Sequence, residues 1–367
     1  MARPQFYDLI VCDVREESHD SKSVAFDVPD ELKEELAFIH GQYLTLRATI
    51  NGEELRRPYS VCVAPSSGEW RVCVKRDPMG RFSGFVNDKL KVGDTLGVMR
   101  KAMGRFYATI EPEKAKSYVM MAGGSGVTPI MSNIRAILEG EPKSEITLFY
   151  GNKTRRDIIF REDFNDLKDA YMERFRVFHI LSDDVPEVPL YGGMMTPEKI
   201  TELVTTLTSV LDVDQFFICG PGPMMDGGKA ALIELGVDEK RIKIESFGNR
   251  PVVAPKPAAT NEEKPVESPQ NAEGEMAEVE IIIDGNRSRL KMPLDTPNIL
   301  DFALSSKIDA PFSCKDGICS TCRAKVVEGE VEMADVHGLE DDEIAAGYIL
   351  TCSSRPKSKR LVIDYDG

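Results

Sequence analysis

A chain of 367 residues with 46 Lys and Arg against 61 Asp and Glu, a formal charge of −15, is too long for one hydrophobic core and too acidic to favour a phosphate backbone. No run of about 18 apolar residues marks a membrane span, and the start MARPQFYDLIVCDV lacks the basic and apolar stretches of a secretory signal. Two or three soluble cytoplasmic domains are expected, with no nucleic acid and no membrane as partners, and clustered cysteines there serve as metal ligands or catalytic groups rather than disulfides.

In chain order, FYDLIVCDV, SVAFDV, QYLTLRATI, YSVCVA, EWRVCVK and DTLGVM alternate in β fashion between Gly, Pro, Asn and Asp breaks, which predicts an antiparallel barrel. From Ser117 the pattern changes to compact apolar runs, SYVMMA, EITLFYG, FRVFHIL and QFFICG, separated by helical stretches such as PIMSNIRAILEG and TPEKITELVTTL. Thr196 reads as a hydroxyl cap with Pro197 at the first helical position. Strands alternating with helices imply an α/β domain with a parallel sheet. Residues 251–277 are rich in Pro, Glu, Ala and Asn, with almost no large apolar side chain, and read as a flexible linker with a reach of roughly 27 Å. Beyond it, two strands, a helix, a cysteine loop and further strands form a small α+β module. The boundaries expected are 1–112, 113–250, 251–277 and 278–367.

Two stretches carry chemistry on their own residues. In MAGGSGVTPIMSNI, a buried strand runs into a helix through Gly123, Gly124 and Gly126, with the Thr128 hydroxyl and Pro129 in the first turn, so that helix N-terminal amides face a pyrophosphate. The loop is not a G-x-G-x-x-G fingerprint, and a tight structural turn is the bland alternative. In CKDGICSTC, Cys314, Cys319 and Cys322 have C-x4-C-x2-C spacing, and Cys352 follows in GYILTCSS. That is the plant-type arrangement of four thiolates around a [2Fe–2S] cluster. Zinc is the rival, although structural zinc sites use two closely spaced pairs and here the fourth ligand stands alone.

CKDGICSTCRAKVVEGEVEM with DDEIAAGYILTC, RRPYS, the glycine loop and CGPGPMM stand in the same order as the motifs of the ferredoxin–NADP reductase-like family. The chain resembles the members that serve multicomponent oxygenases and end in a plant-type ferredoxin domain. The resemblance implies a multidomain fold: an antiparallel β-barrel flavin domain, an α/β nicotinamide domain and a β-grasp ferredoxin domain. It also implies an NAD(P)H:acceptor oxidoreductase with FAD, a [2Fe–2S] cluster and a di-iron oxygenase component as partner. By the same resemblance Arg57 meets the flavin diphosphate, Pro58 and Tyr59 line the ring, and Ser60 lies near its reactive nitrogen. Lys75, Gly80 and Ser83 then belong to the second phosphate-binding loop. Cys219, Gly220, Pro221 and Met224 lie by the nicotinamide, and Phe247 of ESFG covers the flavin. Lys75 and Arg76 have solvated strand charges as their alternative reading.

The nicotinamide loop after the second strand, GNKTRRD, carries Lys153, Arg155 and Arg156, which tilt the expectation toward NADPH, although Asp157 is near and such charges are usually solvated. Cys12, Cys62 and Cys73 are expected in the core, as are Met120, Met121 and Met131. His19, His40, His179 and His337 are scattered and suggest no metal site. An iron–sulfur transcriptional sensor, the reading from another class, would need a basic DNA-reading element, which this sequence lacks.

Overall fold

The computed structural model describes residues 5–184, 186–247, 275–334, 338–339 and 341–367. The expected linker falls almost wholly outside these residues, as does His337. The chain divides into two compact units, one ending at Phe247 and one C-terminal.

The first unit begins with β1 (Phe6–Ser18), β2 (Ser21–Asp27), β3 (Tyr43–Ile50), β4 (Glu53–Ser60), β5 (Trp70–Lys75), α1 (Arg81–Asp88) and β6 (Thr95–Met99). They form a six-stranded antiparallel sheet in the order β4-β3-β6-β1-β2-β5, and a bridge between Val61 and Val72 brings its two edges together. Inward alternation of Leu9, Val11, Val24, Leu44, Leu46, Val72 and Val98 fills the barrel.

Two expectations need correction here. The strand expected at YSVCVA is β4, which starts well upstream, at Glu53, in polar sequence. The Asn51-Gly52 turn fixes its register with β3, and its charged residues suit an edge position. Cys12, expected in the core, is exposed because β1 alternates and Val11 takes the inward place. Cys62 and Cys73 are buried.

The same unit continues with β7 (Ser117–Gly123), α2 (Val127–Gly140), β8 (Glu145–Asn152), α3 (Arg161–Ala170), β9 (Phe175–Leu181), α4 (Pro197–Leu207), β10 (Gln215–Cys219), α5 (Gly222–Glu234) and β11 (Ile242–Glu245). Their parallel sheet has the order β11-β10-β7-β8-β9, reversing direction beside β7. Thr196 caps α4 by accepting the Lys199 N–H. Cys62, Cys73 and Phe106 of the barrel half share a core with Tyr118, Ile130 and Tyr150 of the α/β half.

The C-terminal unit contains β12 (Met276–Ile283), β13 (Asn286–Pro293), α6 (Ile299–Ser305), β14 (Arg323–Glu328), β15 (Val331–Met333), α7 (Asp341–Ala345), β16 (Tyr348–Leu350), β17 (Ser354–Pro356) and β18 (Arg360–Asp364). β12 opens just before the expected module boundary. Its mixed sheet, β13-β12-β18-β14-β16, pairs β12 parallel to β18, and Ile299, Leu300 and Ala303 of α6 pack on it in a β-grasp arrangement.

Candidate flavin, nucleotide and cluster sites

β4 ends in Arg57-Pro58-Tyr59-Ser60, with Tyr59 opposite Leu44 and Ser60 opposite Tyr43. Ser60 is 3% exposed, and its Oγ is buried without a hydrogen-bond partner among the described residues. An unmet buried hydroxyl costs about 1–3 kcal/mol, so a polar ligand atom at this point relieves a real penalty. A flavin ring nitrogen fits it. Tyr59 tilts at 41° against Phe82 with ring centroids 5.7 Å apart, which holds the phenol as an apolar wall. Burial pushes its hydroxyl above the ordinary range. Arg57 is exposed, with Nη1 donating to the Arg56 carbonyl at 2.7 Å, so its cation sits at the surface of this cradle.

Gly80 opens α1, where a Cβ would stand 2.4 Å from Ser83 Oγ and 2.7 Å from Asp77 Cβ. Ser83 Oγ accepts the Asp77 N–H at 3.1 Å and donates to the Gly80 carbonyl at 3.2 Å. Its hydroxyl therefore braces the turn, leaving backbone amides at the start of α1 to meet a phosphate. Lys75 is tied elsewhere: its Nζ lies 2.9 Å from Asp20 in the β1–β2 hairpin. His19 of that hairpin donates toward the Arg156 carbonyl at 3.0 Å and stands with Asp20 and Asp157 within 4.8 Å. Because Lys75 and Thr154 already hold those carboxylates, the cluster clasps the two halves of the unit together.

The two nucleotide loops are pressed into each other. A Cβ on Gly126 would lie 2.0 Å from the Cys219 carbonyl oxygen, which is backbone and has no room to yield. Gly220 meets Met224 and Gly123 in the same way. Thr128 donates to the Ser125 carbonyl at 3.0 Å, so it tightens the loop from within. Tyr150, which the motif reading passed over, donates its hydroxyl to the Gly124 carbonyl at 3.0 Å and accepts the Ile159 N–H at 3.3 Å. One phenol thus links the glycine loop to the loop after β8. Pro129 sits in the first turn of α2, Pro221 caps α5, and Arg155 is exposed.

Cys219 is fully buried at the end of β10, level with Ala122 and Glu245 in the neighbouring strands. Burial, then the nearby Glu245 carboxyl, push its thiol well above the usual range and keep it neutral. Glu245 is a candidate site side chain to which sequence reasoning gave no role. Its Oε2 is buried without a partner among the described residues, and burial pushes the carboxyl up to about 8. The signal available was ESFG, where the acid ends the short strand Ile242–Glu245. Phe247, two residues on, is 46% exposed.

In the C-terminal unit, Lys315, Gly317 and Ser320 all take positive φ within the loop from Cys314 to Cys322. Such turns aim successive N–H groups at one centre. The amides of Asp316 and Cys319 donate to Cys314 Sγ, and that of Cys314 to Cys319 Sγ, each at 3.4 Å. The thiols fall into two pairs. Hydrogen bonding with Cys319 draws Cys314 down to about 6, and bonding with Cys322 draws Cys352 down to about 7. No three of the four sulfurs, all of them among the described residues, lie within 4.8 Å of one another. Four thiolates on one zinc at about 2.3 Å would all be that close. Two separate pairs suit two irons. Ser313 Oγ, next in the chain to Cys314, is also buried with no partner among the described residues.

Comparison with known proteins agrees with this layout. Residues 8–107 match the family model of the oxidoreductase FAD-binding domain, residues 120–229 that of the oxidoreductase NAD-binding domain, and residues 281–357 that of the 2Fe-2S iron-sulfur cluster binding domain. The chain is 38% identical to one of the subunits of the 1,2-phenylacetyl-CoA epoxidase of Escherichia coli, over 98% of each chain. It is 31% identical to the ferredoxin reductase component of 3-ketosteroid-9-alpha-monooxygenase from Rhodococcus rhodochrous, covering 97% of this chain and 96% of that one. Phthalate dioxygenase reductase shares the fold at a TM-score of 0.54 and 24% identity, over 98% of both chains.

Proposed function

The chain belongs to the ferredoxin–NADP reductase-like family of flavin and iron–sulfur oxygenase reductases, and on that premise we propose that it serves the di-iron oxygenase component of a phenylacetyl-CoA epoxidase in the cytoplasm. It is an NAD(P)H-dependent oxidoreductase; FAD, held by the residues around Ser60 and Gly80, would supply acceptance of a hydride as an electron pair, and a [2Fe–2S] cluster held by Cys314, Cys319, Cys322 and Cys352 would supply one-electron transfer toward the oxygenase. Among the described residues no helix is long and apolar enough to cross a membrane.

The residues of the first unit hold, orient and exclude water. Ser60 offers its unmet hydroxyl at the ring edge, Tyr59 walls one face, and the amides before α1 take the diphosphate with Arg57 at the rim. The interlocked loops around Gly126 and Gly220 let the nicotinamide end approach the backbone closely. Neutral Cys219 keeps that approach apolar. Glu245, its carboxyl pushed up to about 8 by burial, stands neutral beside Cys219 and can donate a hydrogen bond there; giving up the proton would leave a buried carboxylate. In the second unit the loop amides neutralise charge on the sulfurs of Cys314 and Cys319, which favours the reduced state of the centre they hold.

The observation that carries the phenylacetyl-CoA reading is the 38% identity over 98% of each chain. A steroid hydroxylase or desaturase partner is the runner-up, on the lower identity to the ketosteroid relative. Reconstitution tests it: this chain, NAD(P)H and a phenylacetyl-CoA epoxidase oxygenase component should turn over phenylacetyl-CoA. Turnover with a ketosteroid oxygenase component alone would contradict the proposal.

A further inference from the structure

We infer that Tyr150 is a positioning residue of the nucleotide site: by holding the Gly124 carbonyl, its hydroxyl aims the Ser125 N–H at the pyrophosphate of the nicotinamide dinucleotide. The inference rests on the nucleotide role of the α/β half. Ligands of open α/β sheets bind beyond the carboxyl ends of the strands, which is where the glycine loop leaves β7 and enters α2. Neighbouring segments press that loop at two of its glycines. A Cβ on Gly123 would stand 2.6 Å from Pro221 Cδ, and one on Gly126 2.0 Å from the Cys219 carbonyl oxygen. Gly124, between them, is different. Its φ is +52° and a Cβ there would meet nothing within 4 Å, so glycine serves conformation at this point rather than close approach. A peptide with that freedom needs its carbonyl held if it is to keep one direction.

Tyr150 holds it. The residue stands in β8 level with Ala122 of β7 and His179 of β9, and it is fully buried. Phe164 and His179 flank its ring, each with centroids 5.9 Å away, so the phenol has a fixed direction. Its oxygen accepts the Ile159 N–H at 3.3 Å, and its single proton goes to the Gly124 carbonyl at 3.0 Å. Burial pushes the hydroxyl above its ordinary range and keeps it a donor. The same carbonyl takes the Val127 N–H at the start of α2, which fills both of its lone pairs.

The C=O and N–H of a trans peptide lie in one plane and point opposite ways, and the described residues contain no cis bond. A Gly124 carbonyl drawn onto a buried phenol therefore turns the Ser125 N–H away from the core. Gly124 and Ser125 are the partly exposed residues of the loop, between the buried Gly123 and Gly126, so that amide faces the side from which a ligand arrives. An amide aimed at a phosphate makes a charge-assisted hydrogen bond at the N-terminus of α2. Tyr150 touches no ligand itself and acts through the loop.

The test is anaerobic stopped-flow reduction of the flavin in the full-length holoprotein by NADH, by NADPH and by reduced nicotinamide riboside, which carries no phosphate. Tyr150→Phe keeps the ring and loses the hydroxyl, and Ser125→Pro deletes the receiving amide itself. Each variant should raise the KM for NADH and for NADPH alike by about tenfold, the effect of one charge-assisted hydrogen bond, with the limiting rate within about twofold of wild type. Reduction by the riboside should also stay within about twofold. An unchanged KM in Tyr150→Phe, or riboside reduction that falls as far as reduction by NADH, would overturn the inference while leaving the reductase reading intact, because the loss would then come from the fold and not from a phosphate contact. A wild type reduced by neither dinucleotide would overturn both.

Discussion

Ser60 and Glu245 carry the sharpest consequences at the scale of single residues. The Ser60 hydroxyl is buried with no partner among the described residues, so the flavin is its expected one, and Ser60→Ala should slow flavin reduction by about ten- to a hundredfold while FAD stays bound. Unchanged stopped-flow rates would place the ring elsewhere. For Glu245, burial raises the carboxyl from 4.5 to about 8, so across that range the unfolded chain gives up its proton first. Stability is whole below the lower value and falls as pH rises through the upper one. Glu245→Gln removes this loss, so its melting temperature relative to wild type should climb from about pH 5 to about pH 9. Parallel melting curves across that span would show that the carboxyl ionises as freely folded as unfolded. Neither consequence could be read from the sequence. Ser60 was named through a resemblance, but that its hydroxyl is unmet is a fact of packing, and Glu245 looked like any acid at a strand end.

Among elements, the parallel strands of the α/β half were legible because strands buried on both faces read as unbroken apolar runs. The edge strand β4 and the helix α1 were not. β4 is made of charged residues whose place is fixed by a turn and by pairing with β3, and α1 is too short for its periodicity to stand out. The Asp184 carboxylate accepts the Arg155 N–H at 2.8 Å, a closeness to the loop after β8 that depends on strand order, which no local pattern reveals. The glycine loop was legible in part. Its turn was evident, but that Gly126 is fixed by the Cys219 carbonyl emerges only when β7 and β10 lie side by side. Gly126→Ala should therefore destabilise the protein by about 1–3 kcal/mol, because the obstacle is backbone, and should raise the KM for nucleotide more than it lowers kcat. A variant with wild-type stability and KM would mean that the loops are not locked together.

In the whole molecule, two compact units divide the chemistry: one holds the residues for nucleotide and flavin, the other the four cysteines. Cys352→Ser should remove the iron–sulfur absorbance and transfer to the oxygenase, yet leave flavin reduction by nucleotide within about twofold of wild type, since independent sites add. Loss of flavin reduction as well would show that the units depend on each other for folding. The C-terminal module from Ala277 carries 11 Lys and Arg against 17 Asp and Glu, so its encounter with an oxygenase should weaken as ionic strength rises, as attraction to a basic patch does. That one chain carries electrons from nucleotide to flavin to cluster is tested most directly by anaerobic reduction with NAD(P)H, followed in the visible spectrum with iron and zinc assayed on the same sample. Two irons per chain are expected, with bleaching of the flavin bands followed by those of the cluster. Zinc in place of iron, or a flavin that bleaches while the cluster stays oxidised, would contradict it.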